Sequence, residues 1–193
     1  MSVRNITKAY RLASAADKAD GLGWYANAMA LARSLDPENP VRAAGVIAAL
    51  SPMNSWPRNV ILARETYEGK IPKTLKKNSV KAVAIFNGGD PDSILSGPKV
   101  RSFFANIVGL DDVASVTIDR HAIDICAGKV QNDADRAAMV SGKARYNGLV
   151  SEYLQAAKIV SKESGSVVTG AQLQAITWVY WRRSVIANFH GDV

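Results

Sequence analysis

The chain has 193 residues, with 24 Lys and Arg against 17 Asp and Glu, for a formal net charge of +7. This length allows one domain with a sizeable core, and the basic excess suits a polyanionic partner, of which nucleic acid is the commonest. No apolar run reaches the roughly 18 residues of a membrane-spanning helix, and the N-terminus lacks the long apolar region of a signal peptide. We therefore expect a cytoplasmic protein that makes no use of a membrane.

Cysteine and histidine content limits the metal chemistry that the chain could support. Cys126 is the single cysteine, so neither an internal disulfide nor an iron–sulfur cluster held by four cysteines can form. The two histidines, His121 and His190, do not have the spacing of metal ligands. We therefore expect no metal and no cofactor.

Apolar residues recur at helical spacing along most of the chain, and no convincing strand is found. Asn39 with Pro40 signals the start of one helix, and Thr169 with Gln172 forms a capping-box pattern before the last helix. The pattern predicts a single all-α unit of roughly ten helices. These helices are expected after Asn5, from Trp24 (following a break at 20–23), and at 41–50, 55–68, 79–86, 90–94, 100–108, 119–128, 133–140, 143–163 and 170–187.

The most informative stretch lies between residues 94 and 125. A tight break at Gly97 and Pro98 separates the short helix at 90–94 from the amphipathic helix at 100–108, which predicts a helix-hairpin-helix. A loop over 109–115 follows, and then an apolar segment that leads directly into Asp119 at the start of the next helix.

Residues 95–101 (LSGPKVR) and 117–121 (TIDRH) resemble the catalytic segment of the helix-hairpin-helix DNA glycosylase superfamily, and both motifs align without a gap. The resemblance implies an all-α, two-lobed helix-hairpin-helix DNA glycosylase-like fold, here one domain over 1–193 with the hairpin at about 90–108. It implies that Asp119 is the catalytic carboxylate and that Arg101 occupies the catalytic position of the lysine nucleophile found in some members. Arginine stays protonated and cannot act as an amine nucleophile. Lys99 stands where the family has the second glycine of the hairpin.

Each of these residues also has a structural interpretation. Asp119 precedes a helix and suits an N-cap as well as catalysis. Gly97, Lys99 and Arg101 suit a DNA phosphate, or an ordinary turn with exposed basic side chains. His121 is expected to be structural, and to point away from Asp119 if both residues are helical.

A second patch that resembles the family lies at residues 50–56 (LSPMNSW), where members place a polar side chain in the gap left by a flipped base. Met53 or Asn54 could fill that gap, and Trp56 could stack on a base. The alternative is helix capping by Asn54 or Ser55, with Trp56 in the core.

Two tryptophans share one face of the last helix. Trp178 and Trp181 could enclose a substrate base, or they could pack in the core between the lobes. Arg182 and Arg183 follow, and they suit either a phosphate or the negative end of the helix dipole.

The leading hypothesis is a DNA base-processing enzyme, namely a monofunctional DNA glycosylase. It would bind double-stranded DNA, flip one base and hydrolyse its N-glycosidic bond without strand cleavage. One alternative is a glycosylase-fold enzyme that hypermodifies a thymine-derived base in phage DNA, which would place the protein in the host cytoplasm. The other alternative is a non-catalytic DNA- or protein-binding module.

Overall fold

The computed structural model describes residues 2–109 and 115–187, whose regular secondary structure is helical with no strand among them. The all-α prediction is therefore confirmed for this part of the chain. Part of the loop expected at 109–115, and also His190, lie outside the described residues. The elements are α1 (Ser2–Leu12), α2 (Ala15–Leu35), α3 (Pro40–Leu50), α4 (Trp56–Tyr67), α5 (Lys76–Phe86), α6 (Pro91–Ile94), α7 (Pro98–Val108), α8 (Arg120–Ala127), α9 (Asp133–Met139), α10 (Lys143–Ser164), α11 (Gly170–Tyr180) and the π-helical segment π1 (Trp181–Ile186).

The described residues form two compact units, which we call unit 1 and unit 2. Unit 1 is drawn from Met1–Trp24 and Asp111–Val193, and unit 2 from Tyr25–Leu110. The boundary between Trp24 and Tyr25 falls within α2.

In unit 1, α1 packs against α8, α10 and α11, and α11 packs against α8 and α10. Its core contains the fully buried side chains of Ile6, Tyr153, Val160 and Leu173. The carboxylate of Asp124 on α8 is also fully buried, and the guanidinium group of Arg136 on α9 meets it with two hydrogen bonds of 2.8 and 3.0 Å. Since a buried charge needs such a partner, this ion pair fixes α9 to α8.

In unit 2, α3 is the central helix and packs against α4, α5 and α7. Residues 43–50 are all buried, as expected for an almost wholly apolar helix. The apolar face of α7, with Phe103, Phe104 and Ile107, is buried as its spacing predicts.

Local sequence signals place several helix ends correctly. The side chain of Asn39 accepts a hydrogen bond from the N–H of Arg42, and the capping box of Thr169 and Gln172 is complete. Asn5 is an exception, because α1 begins at Ser2 and Asn5 lies inside it. Its side-chain amide instead donates to the carbonyl oxygen of Cys126 at 2.9 Å.

The break expected at residues 20–23 is absent, because α2 runs continuously through them. The reason is tertiary: a Cβ atom on Gly21 would lie 2.4 Å from the Cα atom of Ile176 on α11. Gly21 therefore lets two helix backbones approach closely, which outweighs its low helix propensity.

Candidate functional site

The backbone that leads into Asp119 is held by one tyrosine. The hydroxyl group of Tyr146 on α10 donates a hydrogen bond to the carbonyl oxygen of Val116 at 3.2 Å. The hydroxyl oxygen of Tyr146 in turn accepts a hydrogen bond from the N–H of Ile118 at 3.1 Å. Because all three residues are buried in the core of unit 1, Asp119 enters α8 at a defined position.

Asp119 is the N-cap residue of α8. Its backbone is extended, with φ −97° and ψ −178°, and Oδ1 accepts a hydrogen bond from the N–H of Ala122 at 2.8 Å. The capping role that the sequence suggested is therefore present. A cap occupies only one carboxylate oxygen, so the other oxygen of Asp119 can bind a different group.

The second carboxylate oxygen is bound by a tryptophan from α11. Nε1–H of Trp178 donates to Oδ2 of Asp119 at 3.0 Å, although the two residues are 59 positions apart in the sequence. One donor on each oxygen fixes the plane of the carboxylate. Each oxygen keeps a further lone pair that could accept a hydrogen bond from a ligand.

Trp178 is half-buried and is surrounded by ring and cation contacts within unit 1. The rings of Trp24 and His121 lie edge-on to it, with centroid distances of 5.8 and 6.3 Å. The guanidinium carbon of Arg182 lies 4.8 Å from the centre of the Trp178 ring, which is within cation–π range. Asp119 therefore stands beside an aromatic cluster that also carries a positive charge.

His121 lies closer to this cluster than the sequence indicated. The expectation that it points away from Asp119 assumed that both residues are helical, but Asp119 is an extended N-cap, and both side chains contact Trp178. His121 is buried, and its Nδ1 atom has no hydrogen-bond partner. Burial lowers the pKa of His121, and Arg120 and Arg182 lower it further, while Asp119 and Asp124 act in the opposite direction.

The other residues of the last helix separate into different environments. Trp181 is 7% exposed and packs in the core of unit 1, which favours core packing over a place in a substrate pocket. Arg183 donates to Asp17 at 3.0 Å and to Asp20 at 2.6 Å, so its charge is balanced within unit 1. The helix widens to π geometry at 181–186, beginning three residues after Trp178, and π-helical turns are frequent at functional sites.

The hairpin of unit 2 has the local geometry expected from the sequence. Gly97 takes φ +83° and ψ 140°, which L side chains rarely adopt, and a Cβ atom there would meet nothing within 4 Å. Pro98 is the first helical residue of α7, two positions earlier than predicted, and Gly97 makes no side-chain cap bond to the first amides of the helix. Lys99 is half-buried, and Arg101 is exposed and donates to the carbonyl oxygen of Asp92 at 3.2 Å.

The loop between α3 and α4 presents Met53 to solvent. Met53 has φ +65° and an 87% exposed side chain. The amide of Asn54 is occupied, because its Nδ2 atom donates to the carbonyl oxygen of Leu50 at 2.7 Å and to Oγ1 of Thr74 at 2.9 Å. The sequence suggested Met53 or Asn54 for the gap left by a flipped base, and of these two side chains that of Met53 is the accessible one. Trp56 begins α4 and is half-buried, and Ser55 is its N-cap without a side-chain cap bond.

Helix α5 contacts both the loop that carries Met53 and the hairpin turn, and the sequence pattern indicated no role for it. At its start, Nδ2 of Asn78 donates to the carbonyl oxygen of Pro52 at 3.0 Å. Further along the helix, Nζ of Lys81 donates to the hydroxyl group of Ser96 in the hairpin turn. The available signal was composition, because residues 69–89 contain five lysines and no acidic residue.

The candidate residues thus fall into two sets. Unit 1 carries Asp119 with Trp178, and Trp181 in its core. Unit 2 carries the others: Met53, Asn54, Trp56, Gly97, Lys99 and Arg101. Among residues 2–109 and 115–187, no group of three or more His, Cys, Asp or Glu side chains is placed to hold a metal ion, and no helix is long and apolar enough to cross a membrane.

The described residues thus combine helical secondary structure with a carboxylate in unit 1 that accepts hydrogen bonds from two donors, and with a basic hairpin in unit 2. A family model described as a family of unknown function (DUF7178) matches residues 1–185. The chain therefore belongs to this family. No curated protein and no solved structure matches it.

Proposed function

We propose that this chain is a DNA base-processing enzyme of the monofunctional DNA glycosylase type. The observation that carries the proposal is the environment of Asp119, whose two carboxylate oxygens are fixed by the N–H of Ala122 and the indole of Trp178. This residue stands at the position where the resemblance to helix-hairpin-helix glycosylases places the catalytic aspartate. A carboxylate held by groups on two helices of one core is oriented before any substrate binds.

Cleavage of an N-glycosidic bond leaves the bonding electron pair on the departing base and positive charge on the sugar. The Asp119 carboxylate would stabilise that charge and orient a water molecule. The water oxygen forms the new bond to the sugar carbon and passes its proton to the carboxylate, while the departing base takes up a proton from solvent. The products are a free base and an abasic site.

Arg101 bears on the outcome of the reaction. Lysine at this position in related enzymes forms a covalent bond to the sugar, which arginine cannot do because it stays protonated. Arg101 also donates to the carbonyl oxygen of Asp92 across the hairpin. The proposed reaction therefore leaves the strand intact.

The DNA contacts of the proposal rest on unit 2. Gly97 leaves open space at the hairpin turn, and the first amides of α7 have no side-chain cap, which suits a phosphate oxygen at a helix start. Residues 25–110 carry 11 of the 24 Lys and Arg and 6 of the 17 Asp and Glu, so five of the seven net positive charges lie there. Met53, exposed on a strained loop, is proposed as the apolar wedge at the flipped base.

We also propose that the units correspond to the two lobes of a helix-hairpin-helix DNA glycosylase-like fold. The support is the element order, with the hairpin at α6 and α7 in one unit and the Asp119 helix in the other. Double-stranded DNA is the proposed partner.

The test is an incubation of the purified chain with duplex oligonucleotides that each carry one damaged or modified base, next to an undamaged duplex. The proposal expects abasic sites in at least one duplex, seen as strand breaks only after hot alkali, with Asp119→Asn as the inactive control. A base whose mass changes while it stays attached to its sugar would instead identify a base-modifying enzyme, such as the hypermodification of a thymine-derived base in phage DNA. Binding without any change in the DNA would identify a binding module.

A further inference from the structure

Helix α5 and the loop before it form a basic surface that adds to the positive charge of unit 2 but has no assigned contact in the proposed function. Of the five lysines in residues 69–89, Lys70 is paired with Glu68 at 2.6 Å. Lys73, Lys76 and Lys77 are exposed, and Lys81 is half-buried against the hairpin turn. We call these last four residues the lysine strip.

The first turn of α5 is electrostatically unfavourable as it stands. It contains Lys76 and Lys77 and no acidic residue, and its N-cap residue Leu75 makes no side-chain cap bond. Cations at a helix N-terminus oppose the helix dipole, whereas an anion there is stabilised. An anionic partner would therefore relieve both the lysine repulsion and the uncapped amides.

One end of the lysine strip adjoins the Met53 loop. The hydrogen bonds from Asn54 to Thr74 and from Asn78 to Pro52 fix that loop to the start of α5. Met53 is 87% exposed, so the same end presents an apolar side chain beside positive charge. This combination suits a partner with both anionic and apolar parts.

The other end of the strip adjoins the hairpin. Lys77 and Lys81 are four residues apart and lie on one side of the helix, separated by about 6 Å along its axis. Lys81 bonds Ser96, which directly precedes Gly97. The strip therefore links the Met53 loop to the turn that is proposed to bind a phosphate.

We propose that the lysine strip is a second phosphate-binding surface, which holds the backbone of one nucleic acid strand between the hairpin and the Met53 loop. This inference rests on the proposed function, because the strand is part of the proposed DNA substrate. Lysine head groups are point charges that bind phosphates without reading the base sequence. The strip thus adds affinity and register, while recognition of the base is left to other residues.

The experiment compares two triple variants that remove the same charge. Lys73→Ala with Lys76→Ala and Lys77→Ala removes three exposed lysines of the strip. Lys143→Ala with Lys158→Ala and Lys162→Ala removes three exposed lysines of α10 in unit 1. Binding of an undamaged duplex is measured by fluorescence anisotropy over a range of salt concentrations, and circular dichroism checks the fold.

The strip variant should bind more weakly, and the slope of log K against log salt should fall by about 2 to 3, since each phosphate contact contributes about 0.9. The α10 variant should keep the slope of the parent. Replacing the same three strip lysines by arginine retains the charge and should restore the slope.

An unchanged slope in the strip variant would overturn the inference. The proposed function would still stand if Lys99→Ala with Arg101→Ala lowers the slope and the chain still forms abasic sites. A parent chain that fails to bind duplex DNA would overturn the proposed function and the inference together. Strip-dependent binding of polyglutamate that equals the binding of DNA would assign the surface to acidic proteins and overturn the inference.

Discussion

Trp178 and Asp119 are joined by a 3.0 Å hydrogen bond between the indole N–H and Oδ2, across 59 residues of sequence. The bond fixes the one carboxylate oxygen that helix capping leaves open, because Oδ1 already accepts from Ala122. A purely structural N-cap needs no such second donor. The relationship therefore supports a role for Asp119 beyond capping.

Trp178→Phe removes the indole donor and keeps an aromatic ring. We expect the carboxylate to lose its fixed orientation, with a fall in turnover of about tenfold to a hundredfold. Loss of the hydrogen bond should lower the free energy of unfolding by about 1 kcal/mol. Turnover on the cleaved duplex and thermal unfolding measure the two effects.

Trp181→Phe is the matched control for this variant. The indole nitrogen of Trp181 is buried and has no hydrogen-bond partner, so its loss should leave turnover unchanged. If both variants lowered turnover equally, the hydrogen bond to Asp119 would not be the cause.

Gly97→Ala tests the hairpin through its backbone. The φ of +83° is unfavourable for any L side chain, although the space around the residue is open. The substitution should therefore destabilise the chain by about 1 to 3 kcal/mol and weaken DNA binding. Chemical denaturation and anisotropy report these two quantities.

Gly148→Ala in α10 is the matched control, and it is expected to raise the free energy of unfolding, whereas Gly97→Ala is expected to lower it. A Cβ atom at Gly148 also meets nothing within 4 Å, and the residue lies within a helix. Alanine there should stabilise the chain by about 0.5 to 1 kcal/mol. Equal effects of the two substitutions would argue against strain at Gly97.

The lowered pKa of His121 predicts a pH dependence of stability. Burial disfavours the charged imidazole, so the folded-state pKa lies below the ordinary value of 6.5. As the pH falls through 6.5, the unfolded state takes up a proton before the folded state does, and the free energy of unfolding decreases. The decrease ends once the pH passes below the folded-state pKa.

Denaturant unfolding of the parent and of His121→Gln at pH values from about 5.5 to 7.5 tests this expectation, because few other groups titrate in that range. The parent should lose stability toward the acid end more steeply than the variant. Parallel curves for the two proteins would show that folding does not lower the pKa of His121.

Helix ends set by local chemistry were predictable from the sequence, as at Asn39 with Pro40 and at Thr169 with Gln172. Gly21 was not predictable, because its place inside α2 depends on the close approach of Ile176, which lies far along the chain. The candidate site was likewise predictable only where its signal is local in the sequence. The resemblance of residues 95–101 and 117–121 to glycosylase motifs singled out Asp119 and Gly97.

Contacts between residues that are far apart in the sequence could not be predicted from the sequence pattern. Nothing in the sequence near Trp178 indicates that its indole binds Asp119, and the expectation that His121 points away from Asp119 holds only if both residues are helical, whereas Asp119 is an extended N-cap. The contact of Lys81 with Ser96 spans 15 positions and depends on how α5 packs. Such contacts come from tertiary packing, which a periodicity does not encode.

Asp119→Asn tests most directly the proposal that Asp119 carries out chemistry as well as capping α8. Asparagine caps about as well as aspartate, but it leaves one of the two donors without an acceptor, at a cost of about 1 kcal/mol. We expect the variant to fold and bind DNA like the parent, and to turn over about 10² to 10⁴ times more slowly, because the negative charge is gone. A variant that folds, binds and turns over at the rate of the parent on the same duplex would contradict the account.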